Sequence, residues 1–131
     1  MIVLDTHAWI WLIDSPERLG AAAQKAIESA RRQRAVFVSS ISAWEVHMLC
    51  ARGRLRFAVD PEVWISRCER ISFLRFLPVD NEIARLSVQL PDPFHADPAD
   101  RMIVATARFL GAPVATCDSK IHAYPHVQSV W

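Results

Sequence analysis

No apolar run in the sequence approaches the roughly 18 to 20 residues that cross a bilayer, and the opening MIVLD enters a short strand pattern with no basic stretch ahead of it. The expectation is therefore a chain with no membrane association, placed in the cytoplasm. Cysteine is scarce. Cys50, Cys68 and Cys117 are odd in number and widely spaced, which fits neither a disulfide framework nor paired zinc ligands and suggests reduced thiols. His7, His47, His95, His122 and His126 share no ligand spacing either, so none is assigned to a metal, although His95 lies close to the acids discussed below. Net charge is also small: a formal +1 excludes binding to nucleic acid by bulk charge and leaves only local patches. No repeat, low-complexity tract or linker divides residues 1–131, which read as a single domain.

What the chain does have is 52% hydrophobic residues, enough for a buried core, distributed as short apolar runs that alternate with helical patterns. IVL (2–4), AVFVSS (35–40), FLRFLPVD (73–80), PVATCD (113–118) and HVQSVW (126–131) are the strand candidates. Between them lie helical stretches that start at Thr6, Ala21, Ile41, Asp60, Asn81 and Asp97, with a new segment at Ser15–Pro16 and a proline-rich loop over 91–98. Strands that are apolar throughout, alternating with helices, predict an α/β sandwich around a mostly parallel sheet.

Four acids fall at or just past strand-to-helix junctions: Asp5 after IVL, Glu45 in the helix after AVFVSS, Asp100 in the first turn of a later helix, and Asp118 after VATC. In an open parallel sheet these junctions gather at the carboxyl ends of the strands, where ligands bind. Each acid also has a local explanation. Asp5 and Asp118 can cap helices, Glu45 can close a box with Ser42, and Asp97 with Pro98 and Asp100 forms the start of a capped helix that Gly111 ends. Convergence is a different matter, because clustered carboxylates repel and raise one another's pKa unless a cation shares the site. With no histidine or cysteine pairs at hand, an all-oxygen set suits Mg²⁺ or Mn²⁺, the ions of phosphodiester hydrolysis.

The blocks VLDTHAWIWL, VSSISAWEVHML with RGRLRF after it, HADPADRMIVATA and VATCDSKIHAYPHV, in that order, resemble the PIN domain family, in particular its VapC-type toxins. The resemblance runs the length of the chain. It implies a three-layer α/β/α fold and a Mg²⁺- or Mn²⁺-dependent endoribonuclease, the toxin of a type II toxin–antitoxin pair. Its implied partners are an RNA substrate, a small antitoxin and a second copy of the chain, with a higher toxin–antitoxin assembly as an extension. It implies Asp5, Glu45, Asp100 and Asp118 as the catalytic, metal-binding set. Asp97 is read first as the helix cap, with a place at the metal as its alternative. Thr6 and Thr116 are expected to orient acids, and Arg101 to meet phosphate or a carboxylate. Cys117 and Ala99 stand where relatives often carry a basic residue and a phenylalanine. The competing reading is a non-catalytic RNA- or protein-binding PIN domain in which the acids are only caps. A receiver-type phosphotransfer domain is disfavoured, since LDTH holds one acid rather than a pair.

Two further groups are noted. Arg52, Arg54 and Arg56 around Gly53 read as a solvated helix end or as a contact for an RNA backbone or acidic partner. Trp9, Trp11 and Trp44 read as core, with an exposed interface ridge as the alternative.

Overall fold

The computed structural model describes residues 1–131, and the chain winds around five short strands: β1 (Ile2–Leu4), β2 (Val36–Ser39), β3 (Leu74–Leu77), β4 (Val114–Ala115) and β5 (Ser129–Val130). Every pairing is parallel and the order is β3-β2-β1-β4-β5. The helices are α1 (Thr6–Asp14), α2 (Ala21–Arg32), α3 (Ser40–Ala51), α4 (Pro61–Glu69), α5 (Asn81–Val88), α6 (Pro98–Leu110) and α7 (Ser119–His122), with a 3₁₀ turn at Pro16–Arg18.

The strands are apolar throughout because both faces are covered. Ile2 and Leu4 of β1 point into one core with Trp9 of α1, Ile27 of α2 and Trp64 of α4, whereas Val3 between them points into a second core with Ile83 of α5, Ile103 of α6 and Ile121 of α7. Strand β2 alternates in the same way, Val36 and Val38 to the first core and Phe37 against the second. Three layers result, as expected. Trp9 is fully buried and anchors the first core, its ring 4.9 Å from Trp64 and 5.3 Å from Phe76. Trp44 is 55% exposed, so the core reading holds for Trp9 and fails for Trp44.

The strands are shorter than the apolar runs suggest, because residues beyond the paired segment turn into helix caps. Ser39 ends β2 and caps α3, its hydroxyl accepting from Ile41 N–H at 3.3 Å. The box expected between Ser42 and Glu45 is therefore absent: the helix starts three residues earlier than that box requires. Gly111 closes α6 at φ 64°, the left-handed conformation that glycine adopts without a Cβ clash. No helix is long and apolar enough to cross a membrane.

The topology fixes where a ligand can sit. The chain steps outward from β1 to β2 and β3, then returns to the other side of β1 to lay down β4 and β5. Connections leaving β1 and β4 diverge, which opens a crevice at their carboxyl ends.

Candidate active site

Asp5 leaves β1 at this crevice. One carboxylate oxygen accepts the Ala8 N–H at 2.7 Å, capping α1, and the other accepts the hydroxyl of Thr116, which follows β4 directly. Thr116 in turn accepts the Asp118 N–H at 3.0 Å, so one hydroxyl ties the two strand ends together and fixes the start of the Asp118 segment. Asp118 caps the short α7 through Lys120 N–H at 2.8 Å. Burial of Asp5 pushes its pKa up, the bonds from Thr116 and Ala8 and the nearby His7 oppose that, and the Asp100 charge adds to it.

Glu45 projects from the second turn of α3 and accepts the Thr6 hydroxyl at 2.6 Å, while Thr6 Oγ1 also lies 2.9 Å from the fully buried Ser42 hydroxyl. Thr6 is the first residue of α1, so this contact joins α1 to α3 and sets the Glu45 side chain toward the crevice. Its pKa is raised mainly by burial, against the Thr6 bond, with the charges of Asp100 and Asp97 raising it further.

The pair at the start of α6 divides its work. Asp97 caps the helix by accepting the Asp100 N–H at 2.9 Å. Asp100 does not return the capping bond. Its Oδ2 stands 2.7 Å from His95 Nε2 instead, a contact that lowers its pKa against the larger raising effect of burial, to which Asp97 and Asp118 add. Arg101 meets no carboxylate. Its guanidinium donates to the carbonyls of Ser87 (2.9 Å), Phe94 (3.1 Å), His95 (3.2 Å) and Val88 (3.3 Å), which binds the end of α5 to the loop that carries His95. The arginine thus acts on Asp100 through His95, not directly.

Asp5, Glu45, Asp97, Asp100 and Asp118 line one cavity of about 350 Å³, together with Thr6, His7 and the exposed Cys117. No three histidine, cysteine or acidic side chains stand close enough to form a ready-made metal cage. The set is nonetheless suited to a hard divalent ion of the Mg²⁺ kind, which takes one or two carboxylates directly and keeps most of its waters. Asp5 is buried and Glu45 and Asp100 are half-buried; desolvation raises the pKa of all three, neighbouring acids add to it, and a bound cation would offset both effects.

Sequence reasoning placed His95 near the acids but gave it no role, and it missed His7. His95 contacts Asp100; its place two residues before a capped helix start was the available signal. His7, at the lip of the cavity, gave none beyond its position two residues after Asp5.

Fold and crevice together define the class: a doubly wound parallel α/β domain with an acid-lined pocket at its topological switch point. The chain belongs to the PIN domain family, which it matches over residues 2–127. It is 33% identical over 132 aligned residues to Ribonuclease VapC22 of Mycobacterium tuberculosis (strain ATCC 25618 / H37Rv), covering 99% of this chain and 98% of that protein. Its fold is similar to a chain in the crystal structure of VapBC2 from Rickettsia felis bound to a promoter DNA fragment, with TM-score 0.71 and 14% identity over 99% of this chain and 98% of that one. A chain of FitAcB from Neisseria gonorrhoeae is similar at TM-score 0.65 and 24% identity, over 100% and 97%.

Proposed function

We propose that this chain is a Mg²⁺- or Mn²⁺-dependent endoribonuclease, the toxin of a type II toxin–antitoxin pair. It would work in the cytoplasm as a one-domain protomer of a homodimer, held in check by a small antitoxin and able to join a higher toxin–antitoxin assembly. The observation that carries the reading is the convergence of Asp5, Glu45, Asp100 and Asp118 from four separate parts of the chain on one cavity. The relative named a ribonuclease and the neighbours solved as toxin–antitoxin complexes point the same way.

Asp5, Glu45, Asp100 and Asp118 would hold the ion, one or two directly and the others through its waters, with Asp97 at the edge and engaged as a cap. When bound, the ion supplies positive charge to a phosphate oxygen and lowers the pKa of water. The chain's own residues do the rest. Thr116 and Thr6 fix the rotamers of Asp5 and Glu45, and His95 fixes Asp100. Glu45, whose proton affinity is raised, is suited to take the proton of the attacking water as its oxygen bonds to phosphorus and the ribose oxygen leaves.

In the rival reading, a binding module, the acids serve only as caps. That account covers Asp5, Asp97 and Asp118, each of which does cap a helix, but Glu45 and Asp100 accept no backbone N–H. The test is cleavage of cellular RNA by partner-free protein with Mg²⁺, with Mn²⁺ and with EDTA, beside Asp100→Asn. Discrete fragments that require both metal and Asp100 are expected. Cleavage that is indifferent to either would overturn the site, and no cleavage by metal-loaded protein would favour the binding module.

A further inference from the structure

A second cavity, of about 440 Å³, adjoins the acid pocket and shares His7 with it. It follows the exposed side of α1: His7 stands one turn before Trp11, and Asp14 closes the far end, so the floor runs roughly 10 Å along the helix from the acids. The opposite wall is the segment after α3. Gly53, at φ 69°, turns the chain, and the next four residues alternate: Leu55 and Phe57 pack on the first core while Arg54 and Arg56 stay exposed. The apolar pair anchors the segment on the core, and all four residues line the cavity, Arg54 and Arg56 as its exposed members.

The cations of this wall are free. Arg54, Arg56 and Arg18 take part in none of the ion pairs, which involve Arg31, Arg32, Arg85 and His95. Arg18 lies 4.4 Å over the Trp11 ring, which holds it at the cavity edge. Asp14, the one acid present, has a carboxylate oxygen 3.2 Å from the Trp64 indole N–H that it accepts. Acids on one side of His7 and unpaired arginines with aromatic rings on the other form a continuous, oppositely charged track.

We propose that this second cavity binds the single-stranded RNA next to the scissile phosphodiester, with Arg54, Arg56 and Arg18 on the flanking phosphates and His7 at the junction. The proposal rests on the ribonuclease reading and names its substrate-binding surface. A strand laid across both cavities has to bring a phosphate to the acids and further anions to the arginines. A nucleic acid does this because every step of its backbone carries a charge, whereas an acidic peptide would satisfy the arginines alone. A cationic groove that leads away from the acids follows the backbone of one strand, as the grooves of single-strand binders do.

The test uses Asp100→Asn protein in EDTA and a short fluorescein-labelled single-stranded RNA, with affinity read by anisotropy over a salt series. Arg54→Ala/Arg56→Ala is expected to weaken binding by about tenfold or more and to flatten the slope of log K against log salt by about 1.4, near 0.7 per lost phosphate contact. Arg31→Ala/Arg32→Ala on α2 serves as the control and is expected to bind as the parent does. In the metal-loaded protein with Asp100 intact, the Arg54/Arg56 variant is expected to raise KM and leave kcat unchanged. Unchanged affinity, slope and KM would overturn the proposal, as would retained RNA binding with loss of binding to a small acidic protein partner. The two readings fail separately: cleavage with an unaffected KM sinks the cavity and spares the nuclease, while arginine-dependent RNA binding without cleavage sinks the nuclease and spares the cavity.

Discussion

Removing the Thr6 hydroxyl, by Thr6→Val, tests whether Glu45 is set by the fold or by chance. Thr6 is 3% exposed and valine reproduces its shape, so packing is preserved and only the hydroxyl is lost. The structure assigns that hydroxyl two contacts, the Glu45 carboxylate at 2.6 Å and Ser42 Oγ at 2.9 Å. A hydrogen bond to a charged acceptor is worth about 1.5–3 kcal/mol, and a buried hydroxyl left alone costs about 1–3 kcal/mol. Ser42, on a helix, can turn to a carbonyl one turn back and recover part of that. The net expectation is a loss of about 2–3 kcal/mol, or on the order of 10 °C in Tm for a domain of this size. Urea unfolding in EDTA at pH 8 measures it, with Thr6→Ser as the variant that keeps the hydroxyl. Because Thr6 favours the ionised form of Glu45, the loss should shrink in acid, where Glu45 is protonated, and in a Glu45→Gln background, where a neutral acceptor is left. A loss under about 0.5 kcal/mol, or Thr6→Ser as costly as Thr6→Val, would refute the reasoning.

Asp5, Glu45 and Asp100 all have raised folded-state pKa values, so their ionisation opposes folding; this penalty is absent below the unfolded carboxylate value near pH 4 and grows as pH rises through the folded values. Asp100→Asn should therefore stabilise the metal-free protein more at pH 8 than at pH 4, and Mg²⁺ should raise the wild-type Tm at pH 8 but raise that of Asp100→Asn less; equal shifts at both pH values would count against it. Arg101→Lys replaces a fork that meets four carbonyls with a single ammonium and should cost about 2–3 kcal/mol in thermal unfolding while lowering cleavage, since His95 loses its support; full activity would show that the 94–95 loop holds itself. Gly20 faces the Trp131 backbone so closely that a Cβ would overlap it, so Gly20→Ala should cost about 1–3 kcal/mol by urea titration, and less when Trp131 is deleted as well.

Element order and layer count were legible in the sequence because they rest on local chemistry. The apolar runs at 2–4 and 36–38 can be buried on both faces only in a parallel sheet clad by helices, and Asp97–Pro98 and Gly111 mark both ends of α6 whatever the rest does. The acids could be named for the same reason, as residues at strand-to-helix junctions. Their company could not be. Whether Asp100 returned a cap to Asp97 or turned to His95, whether Glu45 met Ser42 or Thr6, and whether Arg101 reached an acid or four carbonyls each depended on distances set by strand order. The same holds for Arg54 and Arg56, which the sequence shows only as cations after a helix. It took the turn at Gly53 and the packing of Leu55 and Phe57 to bring them beside α1. A sequence determines which groups lie within a turn of one another, since backbone geometry is short-ranged. Contacts between residues as distant as Asp5 and Thr116 exist only once the sheet has closed the gap between β1 and β4.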